Sequence, residues 1–434
     1  MLAAMSASSS SPRSPGDACA RSSGDACPGT LRLHRADDGA LARVRIPGGV
    51  LTAAGADTLL DAALRLGDGE LHLTSRGNVQ LRGLAPDCGP ELARLLSGAG
   101  LLPSERHERV RNFVASPLSG LDGLGSADVG PWLTELDRLV CGSDRAADLS
   151  GRFLFALDDG RGDVDALGAD LALLARTGET ALLRVGPTDA VLRLPADDGP
   201  RAALLAAGAF LDAARPTGAW RVKDLPDDEA SALSGAVVRR LRDAGIPAAP
   251  DRHPRPSGAR PPAPGPVRGR GHEVALSVGV PLGRLDREQW RLLSGSGELR
   301  LTPWRGAVVS RVVPERVDGL LGALSGAGLI VGPGSAWAGV GACIGQPGCA
   351  KSLADVRAQA GAAVGPAGRL PVYWSGCERR CGHPHGEWID VVATPAGHRI
   401  SHVRGDRTTP AATVRDDPAA LAAAVAAARD ARTA

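Results

Sequence analysis

GELHLTSRGNVQLRGLAPDCGPELARLLSGAGLLP, residues 69–103, returns 228 positions later as GELRLTPWRGAVVSRVVPERVDGLLGALSGAGLIV, residues 297–331. Thirteen of the 35 aligned positions are identical without a gap, and the blocks GEL-x-LT and SGAGL fall in register. Gly, Ala and Leu are common throughout the chain, yet two separated blocks in one register favour duplication of a structural unit. In the first copy, residues 53–66 carry apolar side chains at helical spacing, 70–74 and 78–84 read as strands, and 90–97 as a helix ending at Gly98. The second copy repeats the order: a helix over 286–293, strands over 298–302 and 307–312, and a helix over 316–324. Each copy is expected to be a βαββα half-domain with an antiparallel sheet, so the fold class is α+β.

Working outward, residues 1–29 are Ser/Pro/Gly-rich without hydrophobic periodicity and are expected to be a disordered tail. The half-domains then cover 30–103 and 272–333. Between them lie an α/β domain over 104–245, with strand candidates at 153–157, 181–185 and 190–194, and a Pro/Gly/Arg-rich stretch over 246–271 that reads as an exposed linker. A second α/β domain over 334–434 has strand candidates at 371–374 and 388–393. The α/β domains repeat more weakly. Setting VRNFVASPLSG (110–120) against VGACIGQPGCA (340–350) would put the second copy's cysteine pair where the first carries Arg111 and Asn112.

Composition removes several classes of function. Lys+Arg 50 against Asp+Glu 48 leaves a net charge of +2, and aromatics are 3%, so neither a basic field nor a stacking surface points to nucleic acid. No apolar run reaches the roughly 18 residues of a membrane span, and the N-terminus lacks the apolar core of a secretory signal. A cytoplasmic chain is expected, in which disulfides are rare. Lys223 and Lys351 are the only lysines, so a mechanism needing two neighbouring lysines is closed to this chain.

Of eight cysteines, Cys19 and Cys27 fall in the tail stretch, and Cys88 and Cys141 stand alone. The other four are grouped as Cys343-x5-Cys349 and Cys377-x3-Cys381. Two short loops of two thiolates each can hold a structural zinc or an iron–sulfur cluster. Zinc knuckles usually place two to four residues between ligands. The wider ACIGQPGCA loop, with Gly345, Pro347 and Gly348 inside it, suits a cubane better. Zinc remains open on spacing alone.

This cysteine pattern in a duplicated chain resembles the sirohaem-dependent sulfite and nitrite reductase superfamily. TSRGNVQLRG (74–83) resembles its arginine-bearing strand and VRNFVASPLSG its Arg-Asn loop. The resemblance implies two ferredoxin-like half-domains plus two α/β domains. It also implies one [4Fe–4S] cluster on Cys343, Cys349, Cys377 and Cys381, with Cys381 nearest the macrocycle pocket. The departure is at LSGRFLFALDDG (149–160), where sulfite reductases carry two lysines and this chain has Arg152 and Leu154. With CGHPH (381–385), that segment is similar instead to the precorrin-3B synthase family, the monooxygenases of aerobic cobalamin synthesis. That resemblance implies precorrin-3A and dioxygen as substrates, hydroxylation at C20 and closure of a γ-lactone.

The substrate it implies is a carboxylate-rimmed tetrapyrrole. Arg76, Arg82, Arg111 and Arg152 are therefore expected to bind it, since guanidinium pairs bidentately with carboxylate. The family is thought to carry a mononuclear non-haem iron besides the cluster. His383, His385 and Glu387 suit such a site in type; the competing reading is that they cap the cysteine loop or face solvent. No GxGxxG opens a helix after a strand; GPGSAW (332–337) lacks that context, so electrons would come from a ferredoxin or an NAD(P)H-dependent reductase. Two other readings compete: a sirohaem-dependent sulfite or nitrite reductase, and a non-catalytic cluster or zinc protein.

Overall fold

A computed structural model describes residues 25, 27–258, 260–269, 272–384, 386–405, 407–415 and 417–430. The first half-domain runs β1 (His34–Ala36), β2 (Gly39–Val44), β3 (Val50–Leu51), α1 (Ala53–Leu66), β4 (Leu71–Leu73), β5 (Val79–Leu84) and α2 (Gly89–Gly98). The first α/β domain follows with β6 (Phe113–Ala115), α3 (Gly130–Cys141), β7 (Phe155–Asp158), β8 (Leu171–Arg176), β9 (Thr180–Val185) and β10 (Ala190–Pro195). It ends in α4 (Gly199–Thr217), α5 (Asp227–Asp243) and β11 (Ala249–Arg252). The second half-domain comprises β12 (Gly265–Arg268), β13 (Val274–Gly279), β14 (Arg284–Leu285), α6 (Arg287–Ser294), β15 (Glu298–Leu301), β16 (Gly306–Val312) and α7 (Pro314–Gly326). The last domain contains β17 (Val340–Ala342), α8 (Val356–Ala362), β18 (Val372–Ser375), β19 (Glu387–Thr394), β20 (Gly397–Arg404), β21 (Arg407–Val414) and α9 (Pro418–Asp430).

The two half-domains are locked together by exchange. Their sheets have the orders β1-β2-β5-β4-β14 and β12-β13-β16-β15-β3, so each receives its last strand from the other copy. Leu285 pairs with Leu71, and Leu51 with Leu299. One apolar core spans both copies, from Leu59, Leu71 and Leu81 to Trp290, Leu299 and Val309. Trp290, fully buried, donates its indole N–H to the Ala56 carbonyl at 2.9 Å. Helix starts follow local chemistry. Thr52 caps α1 by accepting from Gly55 N–H, and Asp286 with Gln289 closes a capping box on α6.

The α/β domains share one topology. In the first, β6, β7 and β8 are parallel neighbours and β9 and β10 continue antiparallel; in the second, β17, β18 and β19 are parallel, then β20 and β21 antiparallel. This equivalence corrects the register expected from sequence. Phe113 opens β6 as Val340 opens β17, so Cys343 stands where Ser116 stands, three residues beyond the expected match. Short edge strands in a Gly/Ala-rich chain carry too little pattern to fix a register.

Two further expectations change. The stretch 246–271 supplies β11, an edge strand on β10, and β12, an edge strand on β13. The tail stretch ends in packed residues: Cys27 is buried, and Glu108 accepts from Thr30 and Leu31 N–H. No helix among the described residues is long and apolar enough to cross a membrane.

Candidate functional site

The cysteine loops leave the carboxyl ends of the adjacent parallel strands β17 and β18, where α/β sheets open their ligand crevices. Cys343 follows β17 directly and its N–H donates to the Trp374 carbonyl at 2.9 Å. The Gly376 N–H, just past β18, donates to Cys343 Sγ at 3.2 Å, so both loops already meet at a sulfur. Cys343, Cys349 and Cys377 are half-buried, Cys381 is exposed, and none is in a disulfide. Burial pushes the Cys343 thiol up, with the Gly376 amide opposing. Among the described residues, the groups of three metal-type ligands gathered within 4.8 Å are Asp68–Glu70–His72 and Asp158–Asp159–Asp163. Four thiols offered by two adjacent loops fit a cubane in donor type.

The first half-domain clamps the first loop. Arg82 on β5 binds Asp38 at 2.7 Å through both Nε and Nη2, and Nη2 also reaches the Gly348 carbonyl at 3.1 Å. Asp37, in the same β1–β2 hairpin, accepts from Ala350 N–H. Arg357 donates to the Cys343 carbonyl at 3.3 Å and lies 3.4 Å from His72 Nδ1. Arg380, inside the second loop, binds buried Asp390 at 2.7 Å.

The structure separates the expected substrate arginines. Arg82 is committed to Asp38 and to the Gly348 carbonyl of the first cysteine loop. Arg111 is closed by Asp137 through two 2.7 Å bonds and by the Leu101 carbonyl at 2.9 Å. Arg76 and Arg152 line a cavity of about 360 Å³ together with Cys27, Arg43, Arg45, Thr74 and Asn78. Arg152 is half-exposed and stacks over Trp220 at 4.2 Å. Burial, reinforced by Arg221 and Arg45, pushes Arg76 down to about 10; burial likewise takes Arg45 down to about 10, partly offset by Cys27. Arg45 Nη1 is buried without a partner among the described residues. Among the described residues, no acidic side chain lines the cavity itself, although Asp25 lies 4.0 Å from Arg152, so its arginines can receive an anion.

Arg43 and Arg45 had not been expected, although the signal was present. In ALARVRI (40–46) the arginines alternate with apolar residues, placing both on one face of a strand. The turn beside them explains Arg76. Gly77 sits at φ +67, where a Cβ would lie 2.9 Å from the Leu301 carbonyl, so Arg76 is held before a left-handed residue. In the second copy Arg305 takes that conformation at φ +55, and Trp304 replaces Arg76 and packs against the first α/β domain.

The HPHGE residues are drawn to other partners. His383 stacks on Trp388 with ring centroids 5.1 Å apart, and its Nδ1 lies 2.8 Å from the Pro384 carbonyl. Glu387 binds His402 at 2.8 Å. His385 lies outside the described residues.

Comparison with known proteins agrees with this architecture. Residues 33–98 match the nitrite/sulfite reductase ferredoxin-like half domain. A precorrin-3B synthase from Sinorhizobium sp is 27% identical over 393 residues, covering 86% of this chain and 82% of that protein. The chloroplastic ferredoxin–nitrite reductase of Spinacia oleracea is 25% identical over 78% of this chain and 64% of its own length. The NirA protein of Mycobacterium tuberculosis superposes with a TM-score of 0.65 at 19% identity, over 87% of this chain and 77% of NirA. Residues 33–98 thus match the nitrite/sulfite reductase half-domain family, while the chain as a whole is similar to a precorrin-3B synthase and shares the fold of NirA.

Proposed function

We propose that the chain is a monooxygenase of the precorrin-3B synthase type. It would hydroxylate C20 of precorrin-3A with dioxygen and close a γ-lactone from the ring A acetate. The observation that carries this reading is the lysine-free cavity built from Arg43, Arg45, Arg76 and Arg152. Lys223 and Lys351 are both exposed and neither lines it. Reduction of sulfite or nitrite needs protons delivered as each oxygen leaves. Guanidinium holds an anion bidentately, and the lysine pair that sulfite reductases carry at this face has no counterpart in the lining. A bound carboxylate would also raise the depressed Arg45 and Arg76 again, fixing them as cations.

At about 360 Å³ the cavity accepts a carboxylate arm rather than a macrocycle. Arg45 and Arg76 would grip that arm, and Arg152 at the rim would meet a neighbouring one, which orients the ring for attack at one carbon. Cys343, Cys349, Cys377 and Cys381 would hold the [4Fe–4S] cluster, which when bound passes electrons singly. One oxygen atom enters the product and the other leaves as water, using two electrons from a ferredoxin or an NAD(P)H-dependent reductase. His383 stacks on Trp388 and Glu387 binds His402, so no step is assigned to a mononuclear iron on them. The expected workplace is the cytoplasm.

The test is incubation with precorrin-3A without oxygen, followed by admission of labelled dioxygen with an electron source. The product should be heavier by one labelled oxygen atom, and sulfite and nitrite should not be turned over. Sulfite or nitrite turnover with tightly bound sirohaem would instead establish the reductase reading.

A further inference from the structure

We propose that Arg380 and Asp390 form a charge pair that sets the reduction potential of the iron–sulfur cluster from beneath the second cysteine loop, given the reading that Cys343, Cys349, Cys377 and Cys381 hold that cluster. Both are positioning residues that act through the loop. Arg380 stands between Cys377 and Cys381, and its N–H donates to the Cys377 carbonyl at 3.2 Å. Its backbone is left-handed at φ +47, a conformation that ordinarily selects glycine. The side chain reaches the sheet below: Nε donates to Asp390 Oδ2 at 2.7 Å, and Nη1 to the Glu378 carbonyl at 3.0 Å.

Asp390 is fully buried in β19, opposite Tyr373 of β18 and Ser401 of β20. Tyr373 packs with Trp388, Val403 and Cys343, so the carboxylate lies on the sheet face against which a cluster thiol packs. Its second oxygen, Oδ1, has no partner among the described residues, and among them Arg380 is the cation within 4.0 Å of it. A buried ion pair rarely stabilises a fold over apolar side chains of similar size, so packing does not account for this one. A fixed charge beside a redox centre does. Reduction places one electron on the cluster, so a nearby cation favours the reduced form and a nearby carboxylate the oxidised form. Glu378, which pairs with Arg380 and Arg399, is 59% exposed and screened by solvent. Tyr373 and Arg305 hold the Cys381 and Gly382 carbonyls at 2.7 and 3.2 Å, so the loop keeps anchors of its own when the pair is changed.

The full chain, cluster-loaded and kept without oxygen, would be titrated with reductant while electron paramagnetic resonance reports the reduced cluster. Asp390→Asn should raise the midpoint potential, and adding Arg380→Gln to it should lower it again. Each step should change the reduction equilibrium about tenfold, or ~59 mV for one electron. Neither of these variants leaves a buried carboxylate without its cation. Arg380→Gln alone should fall below the unmutated protein, and Arg380→Lys, which keeps the charge, should restore the potential. A pair serving structure alone would alter iron retention without moving the potential in opposite directions. Unmoved potentials, shifts of one sign in both single variants, or loss of iron from every variant would overturn the inference while leaving the cluster reading intact. An unmutated protein that binds no iron and sulfide would overturn the cluster reading and the inference with it.

Discussion

The loops that leave β6 and β7 in the first α/β domain occupy the same topological places as the loops that leave β17 and β18 in the second. In the first domain they carry Ser116, Asp122, Asp158, Asp159, Arg161 and Asp163; in the second, four cysteines. The first pair of loops closes on itself. Asp158, buried, accepts from the N–H groups of Gly160, Gly162, Val164 and Asp165 at 2.8–3.1 Å. Arg161 bridges Asp159 and Asp122, and Ser116 donates to Asp163 at 2.6 Å. The second pair meets at one sulfur, and beneath it Ser375 Oγ, Trp388 Nε1, Asp390 Oδ1 and Ser401 Oγ are buried without partners among the described residues. One scaffold thus holds a hydrogen-bonded plug at one end and a thiol cradle at the other. What a crevice binds is decided by the loop side chains rather than by the fold.

That contrast is sharpest in what mutations should remove. Replacing any one of Cys343, Cys349, Cys377 or Cys381 by Ala should abolish the cluster and most soluble protein, because ligation is part of the folding free energy. Iron and sulfide analysis of the purified variants checks this, and full iron retention in two of them would dissolve the contrast. Asp158→Ala should do the opposite, leaving iron intact while destabilising the fold by about 3–5 kcal/mol, since four loop amides lose their acceptor. Denaturant unfolding with iron analysis on the same sample separates the two effects.

Arg45→Ala and Arg76→Ala should each weaken tetrapyrrole binding by about 1.5–3 kcal/mol with an unchanged cluster spectrum. In Arg111→Ala the loss should appear in stability instead, because its donors already serve Asp137 and Leu101. Normal substrate titrations for both pocket variants would remove the anion-site assignment.

A smaller effect distinguishes the acidic plug by pH. Burial, with the Asp158 charge beside it, pushes Asp163 up to about 7. The folded chain then holds a proton that the unfolded chain releases near pH 4, so this contribution to stability is present at low pH and fades as pH rises toward 7. Asp163→Asn keeps the acceptor for Ser116 without the titration. Relative to the unmutated protein, it should gain on the order of 2 kcal/mol between pH 5 and 8, readable from melting curves across that range.

The duplicated half-domains were legible because long helices and strands repeat their pattern over 35 positions; α1 has the bounds its apolar spacing predicts. The exchange of β3 and β14 was not, because each is two residues long and pairs with a strand more than 200 positions away. In the site, spacing alone singled out the four cysteines. The arginines were harder: Arg82 and Arg111 sit in the expected motifs, but Asp38 and Asp137, remote in sequence, pair with them. Cys27 read as tail because its partners, Arg45 and Gly151, lie 18 and 124 residues away.

In the proposed reaction the tetrapyrrole is substrate rather than resident cofactor. The visible spectrum of protein purified without oxygen, read together with its iron and acid-labile sulfide, tests this directly. The expected result is a broad absorbance at the blue end from a [4Fe–4S] cluster held by the four cysteines, with no Soret or red bands until tetrapyrrole is added. Intense Soret and red bands from tightly bound sirohaem would contradict it, as would a colourless protein holding one zinc.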